Sequence, residues 1–192
     1  MLSPRIALKL FADPASIPPH AKLVEAWHGW IKSGKLSELL VDVVDYGHVH
    51  QGPSVLLVGH ESDYALDYGE GKVGLLYVRK RAPDPGADKR LADSLVRVAN
   101  AASILEGEPL LAGLKFQTQE IVLKVLDRLA APNERATWDA DKDEIDKVMK
   151  SVLGPGTEAT YDESDPKGPF TVRVRAPQGR PLAEVLRAAR EL

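Results

Sequence analysis

Apolar residues recur along this chain in two rhythms, and the switches between them mark its elements. Ile6 to Phe11 alternates as a strand does. Pro14, Pro18 and Pro19 then enforce a loop, because each fixes φ and restrains the residue before it. From Ala21 onward Leu23, Val24, Trp27 and Ile31 fall at helical spacing, and Gly34 stands where a left-handed cap ends a helix. Leu39 to Tyr46 reads as a strand, Gly52-Pro53 as a turn, and Ser54 to His60 as the returning strand. Tyr64 to Tyr68 and Val73 to Lys80 form a hairpin around Gly69-Glu70-Gly71.

The second part repeats the alternation. Ala82-Pro83-Asp84-Pro85-Gly86 breaks the pattern, and a long helix follows with Leu91, Leu95, Val98, Ala99 and Ala102 on one face. Leu114 to Leu126 reads as a strand. Thr137 is the expected N-cap of a helix carrying Ile145, Val148, Met149 and Val152, which Gly154-Pro155-Gly156 ends. Ala159 to Tyr161 and Phe170 to Arg175 are short strands, and Leu182, Val185, Leu186 and Ala189 stripe a final helix.

The two parts echo one another. Ile6-Ala-Leu-Lys-Leu-Phe is matched by Ile121-Val-Leu-Lys-Val-Leu, 115 residues on, and Gly52-Pro53 by Gly168-Pro169, 116 residues on. The expected fold is therefore α+β, an antiparallel sheet with helices on one face, either duplicated as two tandem ferredoxin-like (β-α-β-β-α) halves or undivided. The halves divide at 1–113 and 114–192 and share a continuous core.

Composition narrows the function classes. The 192 residues are 44% hydrophobic and carry a net charge of −3, too apolar and too nearly neutral for disorder. Charge is balanced along the chain, with 11 basic and 12 acidic residues in 1–96 and 14 and 16 in 97–192, so no nucleic-acid surface is indicated. No apolar run approaches the roughly 20 residues of a membrane span, and the N-terminus has no signal-peptide core. The absence of cysteine excludes disulfides and thiolate chemistry and fits a cytoplasmic setting.

The densest polar cluster is Asp45-Tyr46-Gly47-His48-Val49-His50, followed by Gly59-His60-Glu61-Ser62-Asp63-Tyr64. A tight turn at Gly52-Pro53 would pair positions summing near 105 and set His60 opposite Asp45. That arrangement predicts an imidazole–carboxylate site, with His60 as general base or ligand contact, Asp63 or Asp45 orienting its ring, and His48 beside it. His48 and His50 share a face in an extended segment, but no third metal ligand is set by spacing. The bland alternative is that these histidines bond to loop backbone.

Other signals are weaker. Gly69-x-Gly71-x-x-Gly74 matches a dinucleotide fingerprint only as text, since it leads into a strand. Arg79-Lys80-Arg81 reads as a solvated strand edge. Trp27 is expected in the core, Trp30 at its border, His28 exposed, and His20 at the start of the first helix. Asp127 and Arg128, before Ala131-Pro132-Asn133, form an expected loop-fixing pair, with Arg128 as an alternative anion contact. No P-loop, nucleophile elbow or zinc-helix motif occurs.

Two stretches carry a resemblance: Asp45-Tyr46-x-His48-Val49-x-x-Gly52-Pro53-x-Val55-x-Leu57-Val58-Gly59-His60-Glu61-x-Asp63-Tyr64, and Asp127-Arg128-Leu129-x-Ala131-Pro132-Asn133. In them the chain resembles a family of uncharacterised bacterial proteins of about this length. The resemblance implies a bacterial cytoplasmic protein, directs attention to His48, His60, Glu61 and Asp63, and brings no reaction or cofactor.

The expectation drawn from these signals is a cytoplasmic small-ligand-binding protein, with an enzymatic variant, whose site lies at the 45–64 hairpin. His60, Asp63 and His48 would act, and Asp45, Tyr46, Glu61 and Arg128 would bind. Two alternatives stand beside it: a haem- or metal-binding α+β barrel, by fold analogy, and a non-catalytic homo-oligomeric interaction module. Everything functional depends on His48 and His60 facing one hollow.

Overall fold

The computed structural model describes residues 3–49 and 52–192. Eight strands, β1 (Ile6–Ala12), β2 (Leu40–Asp45), β3 (Pro53–Gly59), β4 (Ser62–Asp67), β5 (Gly74–Arg79), β6 (Phe116–Val125), β7 (Glu158–Tyr161) and β8 (Phe170–Arg175), form one sheet. Their order is β2-β3-β4-β5-β1-β6-β8-β7, and every pairing is antiparallel. Four helices, α1 (His20–Ser33), α2 (Arg90–Glu106), α3 (Arg135–Leu153) and α4 (Leu182–Arg190), cover one side. The α+β class expected from the sequence is the observed one. Among the described residues no helix is long and apolar enough to cross a membrane.

Helices cover one side because their apolar stripes and the strand periodicity agree on it. Ile6, Leu8 and Leu10 of β1 join Leu75 and Tyr77 of β5, Ile121 and Leu123 of β6, and Leu91, Leu95 and Val98 of α2. This apolar cluster runs from Ile6 to Ala189 without a break at 113/114. β1 carries the junction, pairing β5 on one side and β6 on the other.

Local signals placed the element ends well. Gly34 adopts φ 60° and donates to Trp30 and Ile31 carbonyls, closing α1 as expected. Thr137 is not the cap of α3. That helix starts at Arg135, and the Thr137 hydroxyl instead donates to the Pro132 carbonyl at 2.7 Å. Trp30, expected at the border, is buried, and its indole N–H reaches Glu108 Oε2 at 3.2 Å.

Two charged residues are buried in the sheet, and the first departs from expectation. Arg79 is 2% exposed, because β5 lies inside the sheet between β4 and β1. Its guanidinium pairs with Asp93 and donates to the Ala82 and Pro83 carbonyls, so it is no solvated edge. Lys9 sits in the central strand at 3% exposure, on the side without helices. Its ammonium donates to Asp67 Oδ2 at 2.5 Å and to the Gly69 carbonyl at 2.6 Å. Burial lowers the Lys9 pKa, against the pull of Asp67.

Candidate functional site

The β2–β3 connection decides the site, and it is longer than a tight turn. Tyr46 N–H donates to the Ser54 carbonyl and Val49 N–H to the Tyr46 carbonyl, so the strands part at Tyr46 and Ser54 rather than at Gly52-Pro53. Asp45 consequently pairs with Val55, and paired positions sum to 100 rather than near 105. His60 N–H donates to the Leu39 carbonyl, beyond the other end of β2. Six residues separate Leu39 from Asp45, roughly 20 Å at the rise of a strand. The expected juxtaposition of His60 with Asp45 and His48 does not form. His50 lies outside the described residues.

At the near end His20, the first residue of α1, meets the end of β2. Its Nε2 is 2.7 Å from Asp45 Oδ1, and the same oxygen accepts the Gly47 N–H at 2.8 Å. A Cβ at 47 would stand 3.0 Å from the His20 ring and 3.1 Å from Asp45 Oδ1, so a larger residue there would press on the pair. The Gly47 N–H, then His20, hold the Asp45 carboxyl below its ordinary range. These residues border a hollow of about 540 Å³, lined by His20, Gly47, His48, Val49, Tyr68 and Lys72 among others. The Tyr46 ring lies 6.3 Å from that of His48, tilted, and both residues are exposed.

At the far end the carboxylates are committed. Glu38, buried just before β2, accepts the N–H groups of Glu61 and Ser62 on Oε2 at 3.1 and 2.8 Å, and the Tyr64 hydroxyl on Oε1 at 2.7 Å. Arg97 of α2 reaches Glu38 at 3.7 Å, Glu61 at 2.8 Å and Asp93 at 3.1 Å. Burial, reinforced by Glu38, pushes the Tyr64 phenol up. Asp63 pairs with Lys80 at 2.6 Å. Neither aspartate orients the His60 ring as expected: Asp63 is held by Lys80, Asp45 bonds His20, and His60 projects into solvent.

Arg128 is brought to neither end. It lies past β6, three strands from β4, and is exposed. Asp127 does not pair with it but accepts the N–H groups of Leu129 and Ala130 at 3.2 and 3.1 Å, a local turn.

Of the residues marked in the sequence, Asp45, Tyr46 and His48 stand at the near end together with His20, which the sequence showed only as the start of a helix. Sequence reasoning missed Glu38, whose partners are 23 to 59 positions away, and Arg97, whose one local partner, Asp93, is an ordinary helix-surface pair. Among the described residues no group of three or more His, Asp or Glu side chains is arranged to hold a metal. No known protein family and no curated protein matches the chain.

Proposed function

We propose that the protein binds a small ligand in the hollow beside His20, Asp45 and His48, with the His20–Asp45 pair as its polar anchor. The reading rests on that 2.7 Å bond at the rim of a hollow of about 540 Å³, a volume in the range of small-molecule sites. Asp45 engages one ring nitrogen of His20, and the other is the one that can exchange a hydrogen bond or a proton with a ligand. In the enzymatic variant the same pair is the general base. The site is the 45–49 end of the predicted hairpin, and His60, Glu61 and Asp63 belong to its frame.

A cytoplasmic setting goes with this reading, on the strength of a cysteine-free chain. The order strand, helix, strands, helix, which recurs from β1 and from β6, supports two ferredoxin-like halves. The interaction-module alternative has less behind it. The β2 edge carries a register break between Leu40 and Asp42 and the charges of Asp42 and Asp45, features that discourage strand addition.

Imidazole resonances of the five histidines, followed by NMR while small carboxylates, alcohols and amides are added, test the reading. At least one compound is expected to move His20 and His48 and leave His60 still, with the response lost in His20→Ala. A panel that moves neither ring defeats it.

A further inference from the structure

On the side of the sheet without helices, a carboxylate of the chain itself sits in what looks like another molecule's place. The β4–β5 connection makes a 3-10 turn at Gly69–Gly71, and Glu70 at its tip has φ 62° and ψ 14°. Among the described residues it is the sole non-glycine with positive φ. Side chains avoid that region, so this conformation is held by its contacts. Glu70 Oε1 lies 2.5 Å from Lys124 Nζ of β6, and Oε2 lies 2.5 Å from Arg173 Nη2 of β8. Asp162 in turn holds Arg173 Nε at 2.8 Å. Desolvation alone would raise the Glu70 carboxyl, but Lys124 and Arg173 more than offset it and hold it below its ordinary range.

Two hollows meet at this carboxylate, and both are lined by Glu70 and Lys124. The larger, about 430 Å³, is walled by Ala7, Leu76, Val78, Val122 and Leu126. The register brings these walls together, because Ala7 pairs with Val78 and Lys124, and Lys9 with Leu76 and Val122. Lys9 there is matched by Asp67 and adds no net charge. The smaller hollow, about 110 Å³, is lined by Asn133, Thr171 and Arg173. Asn133 is 8% exposed, and its Oδ1 has no hydrogen-bond partner among the described residues, unusual for a buried polar atom.

We infer that this face binds an apolar monocarboxylate, whose carboxylate displaces that of Glu70 from between Lys124 and Arg173 while its hydrocarbon part lies against Ala7, Leu76, Val78 and Val122. Three observations fix the class. Glu70 demonstrates that the pair of cations seats a carboxylate. With Glu70 withdrawn, Lys124 and Arg173 face the carboxylates of Asp162 and Asp165, which line the same small hollow, so the seat holds no surplus of positive charge and suits a monoanion better than a phosphate dianion. The seat opens onto an apolar hollow that Glu70 itself does not fill. Glu70 thus acts as a tethered competitor on a tip flanked by Gly69 and Gly71, able to swing away when the seat is taken. The tip separates this site from the His20 hollow, which Tyr68, Gly71 and Lys72 line from the other side, so the inference stands apart from the reading above.

Octanoate added to the ¹⁵N-labelled full chain tests it, with octanol and inorganic phosphate as controls. Octanoate is expected to shift the amides of Gly69, Gly71 and Lys124 and the Arg173 Nε resonance. Glu70→Gln, a change at an exposed tip, is expected to tighten octanoate by about tenfold by removing the tethered competitor. Lys124→Gln and Arg173→Gln are each expected to weaken it by about tenfold. Either variant suffices should the other fail to fold. Silence of these resonances in Glu70→Gln at roughly ten millimolar octanoate overturns the inference. So does octanol binding as well as octanoate, phosphate binding as well as either, or a response confined to His20 and His48.

Discussion

The two ends of the β2–β4 hairpins hold similar side chains and put them to opposite uses. At one end Glu38 accepts three hydrogen bonds and faces Arg97, which also holds Glu61 and Asp93, so these three carboxylates join α2 to the β3–β4 turn, while Asp63 is held by Lys80. At the other end Asp45 accepts one backbone N–H and one imidazole, both residues are exposed, and a hollow adjoins them. A carboxylate saturated by partners is architecture, and one with accessible coordination beside a cavity is available to a ligand. The motif spanning 45–64 contains both kinds, and only their surroundings tell them apart.

The contrast is broken most forcefully at Glu38. Glu38→Ala leaves the N–H groups of Glu61 and Ser62 and the Tyr64 hydroxyl without their acceptor and removes one of the three carboxylates about Arg97, and is expected to destabilise the fold by about 3–5 kcal/mol in urea denaturation. A loss below about 1 kcal/mol would mean the far end is no structural knot. Tyr64→Phe removes one bond from the same carboxylate and keeps the ring packing against Tyr77, so about 1–2 kcal/mol is expected.

The smallest effect is at the open end. His20→Ala is expected to lower the urea midpoint only slightly near neutrality while raising the Asp45 carboxyl only part of the way to 3.8, because the Gly47 N–H remains. With its folded pKa depressed, Asp45 contributes stability above that ordinary value and loses it as pH falls through the folded one. The variant should therefore show a shallower acid-side loss of urea stability, with the Asp45 shift itself read from a carboxyl-carbon NMR titration. An Asp45 titration identical to that of the parent would show that His20 does not act on it.

How much of this was legible follows from the range of each signal. The positions of β1, β3, β5, β6 and β8 and the ends of α1 and α3 lie within a few residues of the apolar rhythm and the glycines at 34 and 154. The pairing of Asp45 with Val55 was not legible. Gly52-Pro53 announces a reversal, but the length of the loop is set by the Tyr46–Ser54 bond, and five positions of register turn on it. Arg79 read as an edge because three consecutive basic residues usually are one. Its burial follows from β5 being an inner strand, which is a property of sheet order.

Periodicity and turn chemistry, both matters of a few neighbouring residues, were enough to specify an α+β chain of antiparallel strands and four helices and to mark Asp45, Tyr46 and His48. Which imidazole meets which carboxylate was decided only when distant segments packed: His20 met Asp45 across 25 positions, and Glu70 met Arg173 across 103. Electrostatic partners are chosen by distance in space, and spacing along a chain carries that information only within an element.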